Sequence, residues 1–227
     1  GSSLPGTWRM PSIEMPLGAP VEELMSVAIG GMDSYDFHAL EAIQCMAERR
    51  AGGETGIAAV QGLQGDAVWQ AMDAGSWREG GWDASLFEAC LSRSQTLAQP
   101  ETYSHRYPTT AQMREWVKEP IAYRIEYTDG TRATMLLMNG LVGDFTFAAR
   151  IKGQASPLST LFYLPSVPNV MYSAELMAKA EATFMTGVSP CPLERTLLTT
   201  GLVEACVQSV GKGQQRIETP HLAVTYE

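Results

Sequence analysis

The sequence is poor in the residue types from which most catalytic and metal-binding motifs are assembled. Only three histidines and four cysteines occur among 227 residues. Cys45, Cys90, Cys191 and Cys206 lie far apart with no C-x-x-C pair, so neither a zinc site nor a dithiol redox motif can be written from them. Three of them, Cys45, Cys90 and Cys206, sit inside apolar helical patterns, as small buried hydrophobes of a reducing compartment do. No H-E-x-x-H, Walker loop or Ser/His/Asp order is present, which leaves metalloprotease and hydrolase chemistry without a warrant. Basic residues are also few, 16 against 25 acidic, and scattered; a net charge of −9 argues against a nucleic-acid partner. No apolar run approaches the roughly 18 residues of a membrane span. A strand followed by a G-x-G-x-x-G turn and a helix is missing too, and with it the device that cradles a dinucleotide pyrophosphate.

What is present reads as one large globular domain of cytoplasmic type, with 45% hydrophobic and 18% charged residues. Pro5, Pro11, Pro16 and Pro20 forbid a long helix in residues 1–20, which read as an extended linker from a preceding domain. The domain proper then occupies residues 21–227. Residues 21–29 alternate as a strand that ends at Gly30-Gly31, and residues 36–50 follow as an amphipathic helix with Asp33 or Ser34 available to cap it. A strand over 55–63 leads to a helix-rich insertion at about 64–119, with helices over 66–74, 84–94 and 110–118 and a long polar loop over 95–109. Asp129-Gly130 joins strands over 121–127 and 131–138 in a hairpin, and strands over 144–152 and 158–164 extend it into a meander. Two helices close the chain, one with an apolar stripe of Leu176, Met177, Ala180 and Phe184, the other over 193–210. The expected fold is therefore α/β (α+β): a mostly antiparallel open sheet with helices on one face. Tyr123, Tyr127 and the run from Met135 to Met138 would leave the other face apolar enough for self-association into a homo-oligomer.

The segment GGMDSYDFHALEAIQCMAERRAGG resembles the Gly-rich turn and His-bearing helix of the glucose-fructose oxidoreductase, inositol dehydrogenase and MocA family, in its C-terminal, dihydrodipicolinate-reductase-like domain. MAKAEATFMTGVSPCPLERTLLTTGLVEACVQSVGKGQQRIE is similar to that domain's closing helices. SSLPGTWR, NGLVGDFTFAARI and ERTLLTTGL resemble bacterial members that carry an N-terminal α/β domain. The resemblance implies the substrate-side domain of an NAD(P)-dependent oxidoreductase that takes hydride from a sugar or cyclitol carbon. NAD or NADP would be held by a Rossmann domain that these residues do not supply, so the chain alone is expected to be inactive and to bind neither cofactor tightly. The alternative is a non-catalytic carbohydrate-binding or scaffold protein retaining the fold.

His38 matches the family's catalytic His by its place after Gly30-Gly31; the Asp usually found four residues earlier is replaced by Ser34, with Asp33 and Asp36 on either side. A His near a helix N-terminus is held neutral by the helix dipole and can accept a proton, or it can simply pack the helix start. Asp33 and Asp36 are its candidate partners, and Tyr35 offers a polar ring beside them. Trp8 and Arg9 combine a stacking plane with a fork donor, suited to a sugar or a dinucleotide edge, or to pinning the linker. His105, Arg106 and Tyr107 sit in the long polar loop, where ligand contacts or plain solvation are both open.

Overall fold

The computed structural model describes residues 2–101, 107–165, 171–189 and 191–226. Its centre is β2 (Val21–Ala28), whose residues from Leu24 onward are all buried. Such a run, apolar on both alternating sides, belongs to a strand covered on both faces. Leu24 and Ala28 point into one core with α1 (Asp36–Ala47) and α6 (Leu193–Gly211), while Met25 and Val27 point into a second with the insertion helices.

Eight strands among the described residues form one mixed sheet in the order β1-β7-β6-β2-β5-β4-β3-β8. β2 runs parallel to β5 (Arg132–Leu137) and antiparallel to β6 (Phe145–Ile151); all other pairs are antiparallel. The hairpin of β4 (Ile121–Tyr127) and β5, the β6–β7 hairpin with β7 (Leu158–Tyr163), and β3 (Ile57–Gln64) fall where hydrophobic alternation places them. β8 (Ile217–Glu218) adds a short edge. Gly62 in β3 lets α6 approach closely, since a Cβ there would stand 2.6 Å from the Cys206 carbonyl.

Three features differ from the sequence reading. The insertion helices α2 (Asp66–Ala74), α3 (Ala84–Leu91) and α4 (Thr110–Trp116) cover the face that was expected to stay open, burying Trp69, Trp82, Leu86 and Phe87 against Met25, Leu136 and Ala148. Tyr123, Tyr127 and Met135 are buried under α1 and α6, and Leu136 and Met138 under the insertion, so these residues give no apolar face for self-association. Secondly, the segment read as a linker carries β1 (Trp8–Met10), an edge strand paired with β7, because its prolines flank the strand and leave Trp8, Arg9 and Met10 free to bond. Thirdly, α5 (Met171–Thr186) rests on the turn at Leu4–Gly6 instead of on the sheet, and Met177 and Phe184 of its stripe face solvent.

Candidate functional site

β2 and β5 run parallel and end side by side, and the chain leaving β2 turns through Gly30-Gly31 into α1. Gly30 adopts φ +126°, and a Cβ on it would lie 2.0 Å from that of Tyr35, so only glycine allows the helix to start this close to the strand. Asn139, just past β5, locks the turn: its Oδ1 accepts the Gly30 N–H at 2.8 Å and its Nδ2 donates to the Gly30 carbonyl at 2.7 Å.

Asp36 is the anchor of the helix start. Its side chain is buried and accepts N–H groups of Asp33 (2.8 Å), Ser34 (2.9 Å) and Phe37 (2.8 Å), together with the Tyr123 hydroxyl at 2.8 Å. The cap expected from Asp33 or Ser34 is thus supplied from inside the first turn, because Asp33 takes a left-handed φ of 53° and folds its own N–H inward. Four donors saturate the Asp36 carboxylate, which suits a scaffold better than a proton acceptor. The Tyr123 phenol is held far from ionisation by burial and the Asp36 charge, so it stays a donor.

His38, two residues along, is only half-buried. Its Nδ1 lies 2.9 Å from Ser2 Oγ. Tyr35, Phe37 and Phe145 surround the imidazole, with ring centroids 5.7, 5.7 and 6.4 Å away. Burial lowers its pKa below the ordinary histidine value, and the Asp36 charge offsets this only in part. In the tautomer whose Nδ1–H donates to Ser2, the Nε2 lone pair remains, and no described residue bonds it. That group can take a proton from a hydroxyl near neutral pH.

The remaining predicted residues are not gathered around it. Asp33 is exposed and makes no hydrogen bond to His38. Tyr35 is half-exposed and stacks on Phe145 at 6.4 Å, beside the imidazole. Arg9 turns inward: its guanidinium covers the Phe162 ring at 4.0 Å, donates to the carbonyls of Leu4, Pro5 and Thr7, and pairs with Glu14 at 3.1 Å, so it pins its own segment. Trp8 projects from the opposite face of the sheet, exposed beside Tyr163. Tyr107 lines a cleft with Phe87 and Met113 in the insertion, and His105 and Arg106 lie outside the described residues. Sequence reasoning missed Ser2, Tyr123, Asn139 and Phe145. Ser2, Tyr123 and Asn139 act across 36 to 109 residues of chain, and no local spacing announces such contacts.

Could the site also hold a dinucleotide? The N–H groups at the start of α1 that would face a pyrophosphate are already bonded to Asp36, so these residues do not fit that group. The described residues contain no cluster of metal ligands. No helix among them is long and apolar enough to cross a membrane.

No protein-family model matches the chain, and no curated protein matches it. Among solved structures it is similar to a myo-inositol dehydrogenase from Corynebacterium glutamicum, at 12% identity and TM-score 0.43, over 87% of this chain and 56% of that one. It is similar to an aldose-aldose oxidoreductase from Caulobacter crescentus complexed with glycerol, at 13% identity and TM-score 0.40, over 88% and 56%. A levoglucosan dehydrogenase in complex with NADH and L-sorbose is similar at 13% identity and TM-score 0.41, over 89% and 60%. The chain spans less than two thirds of each of these structures.

Proposed function

We propose that this chain is the cytoplasmic, substrate-side unit of an NAD(P)-dependent oxidoreductase acting on a sugar or cyclitol hydroxyl, with His38 Nε2 exchanging the hydroxyl proton. The observation that carries the reading is the His38 environment: a half-buried imidazole with lowered pKa, tethered through Nδ1 and unbonded at Nε2, where the parallel strands β2 and β5 end. Tyr35 offers a ring face for the C–H surface of a polyol, and the locked Gly30–Asn139 turn holds the site still. The nicotinamide belongs to a separate nucleotide-binding unit, since the amides at the start of α1 are consumed by Asp36.

A second reading, a carbohydrate-binding protein without chemistry, is favoured by one observation: neither Asp33 nor Asp36 hydrogen-bonds His38, so no acid orients the imidazole. Turnover of the longest natural form of the protein, measured with NAD and NADP over sugars and cyclitols, separates the two. Under the first reading His38→Asn lowers turnover roughly 100- to 10,000-fold with the fold intact. Saturable polyol binding without turnover supports the second.

A further inference from the structure

The other end of β2 carries a polar constellation with no part in the chemistry above. Glu23 is the ladder partner of Arg132 on β5 and of Arg150 on β6. Strand alternation places the three on one face of the sheet, the face of Met25, Leu136 and Ala148. A register shift between Val21 and Glu23 bulges the strand at Glu22. The Asp83 turn and the Asp129–Thr131 hairpin turn wall in a cleft of about 500 Å³ above these residues.

Most charges at this end are matched. Asp83 holds Arg150 through Nε at 3.1 Å and Nη2 at 2.8 Å, and Asp129 pairs with Arg50 at 2.7 Å. Three cleft-lining groups are not: the exposed Glu22, and Glu23 and Arg132 on the floor of the cleft. Glu23 is only 8% exposed, and its Oε1 accepts the Asp83 N–H at 2.8 Å, yet Oε2 has no partner among the described residues. The Arg132 guanidinium makes no hydrogen bond or ion pair with any described residue, and the Trp77 ring stands 5.9 Å from it. Neighbouring strands lie about 4.8 Å apart. The two charges are nevertheless not ion-paired, so a carboxylate oxygen and a guanidinium stand side by side with open valences.

We propose that this cleft binds the zwitterionic head of a free α-amino acid, with the ligand carboxylate accepting from Arg132 and its ammonium donating to Glu23 Oε2. A simple anion would also meet Glu22 and Glu23, and a simple cation would meet Arg132; only a ligand carrying both charges satisfies both groups. Burial already raises the Glu23 pKa, and an ammonium partner reverses that cost by stabilising the charged form. Guanidinium and carboxylate fix the orientation of the head, and the remaining volume of the cleft takes the side chain.

The test is a titration of the chain with the common L-α-amino acids, read by amide chemical shifts and calorimetry. The best binder is then compared with its deaminated acid and its decarboxylated amine. At least one amino acid should bind saturably and shift the amides of Glu23 and Arg132, and each single-charge analogue should bind at least tenfold more weakly. Glu23→Gln keeps an acceptor for the Asp83 N–H and removes only the charge; it and Arg132→Gln should each cost at least tenfold in affinity, with cooperative unfolding retained. His38→Asn should bind as tightly as the wild type, which keeps the outcome independent of the oxidoreductase reading. Absence of saturable binding by any amino acid, equal affinity for the analogues, or unchanged affinity in both cleft variants overturns the assignment.

Discussion

At the Ala28 end of β2 the buried carboxylate of Asp36 receives four hydrogen bonds, whereas at the Val21 end the nearly buried carboxylate of Glu23 receives one. The two acids lie at opposite ends of one central strand, both withdrawn from water. Burial alone therefore does not mark a reactive group; the count of donors does. A carboxylate with every lone-pair direction filled holds a turn in place, and one with an open oxygen is left for something else. At the first end the open valence passes to His38, whose Nε2 is unbonded among the described residues.

The comparison breaks most visibly at Asp36. Asp36→Ala leaves three N–H groups and the Tyr123 hydroxyl without an acceptor, and should destabilise the fold by on the order of 3 kcal/mol or more in urea unfolding. A loss below about 1 kcal/mol would show that the turn does not depend on the carboxylate. Tyr123→Phe removes one charged hydrogen bond and keeps the ring, for a cost of about 2 kcal/mol.

The Glu23 end should respond with the opposite sign. Its folded pKa is raised by burial, so its contribution to stability is fully present below the ordinary carboxylate value and is lost as pH rises through the folded one. Glu23→Gln should therefore match the wild type in acid and exceed it near neutral pH, visible as diverging melting temperatures across a pH series. The smallest effect belongs to His38→Asn, within about 1 kcal/mol, because the imidazole is half-buried and tethered by a single hydrogen bond.

Most of the fold was legible in the sequence because its signals are local. Asp129-Gly130 sets the β4–β5 hairpin, the glycines at 30 and 31 end the β2 segment, and helical spacing marks α1 and α6. Neither the second helical layer nor the edge strand β1 has a local signature. Covering a sheet face depends on where an insertion folds back, and a three-residue strand is defined by its partner β7, some 150 residues later. The stripe on α5 shows the complementary failure: periodicity identified its apolar residues, yet Met177 and Phe184 stay exposed, because spacing gives a face and not what meets it. His38, Tyr35 and Asp36 were singled out by position, but the division of labour proposed for His38 and Asp36 rests on Tyr123 and Ser2, which only the folded chain brings near.

The central claim is that His38, and not either neighbouring aspartate, is the chemically open group at the end of β2. Burial lowers its folded pKa, so its contribution to stability is present above the ordinary histidine value and lost as pH falls through the folded one. The most direct measurement is a pH titration of the His38 imidazole by nitrogen-resolved NMR, without and with myo-inositol. We expect a neutral ring protonated at Nδ1, a pKa below the ordinary value of about 6.5, and a polyol-dependent shift at Nε2 that persists in Asp33→Asn. A pKa above that value, or an imidazole indifferent to polyols at every pH, would contradict the assignment and make His38 a packing residue of the helix start.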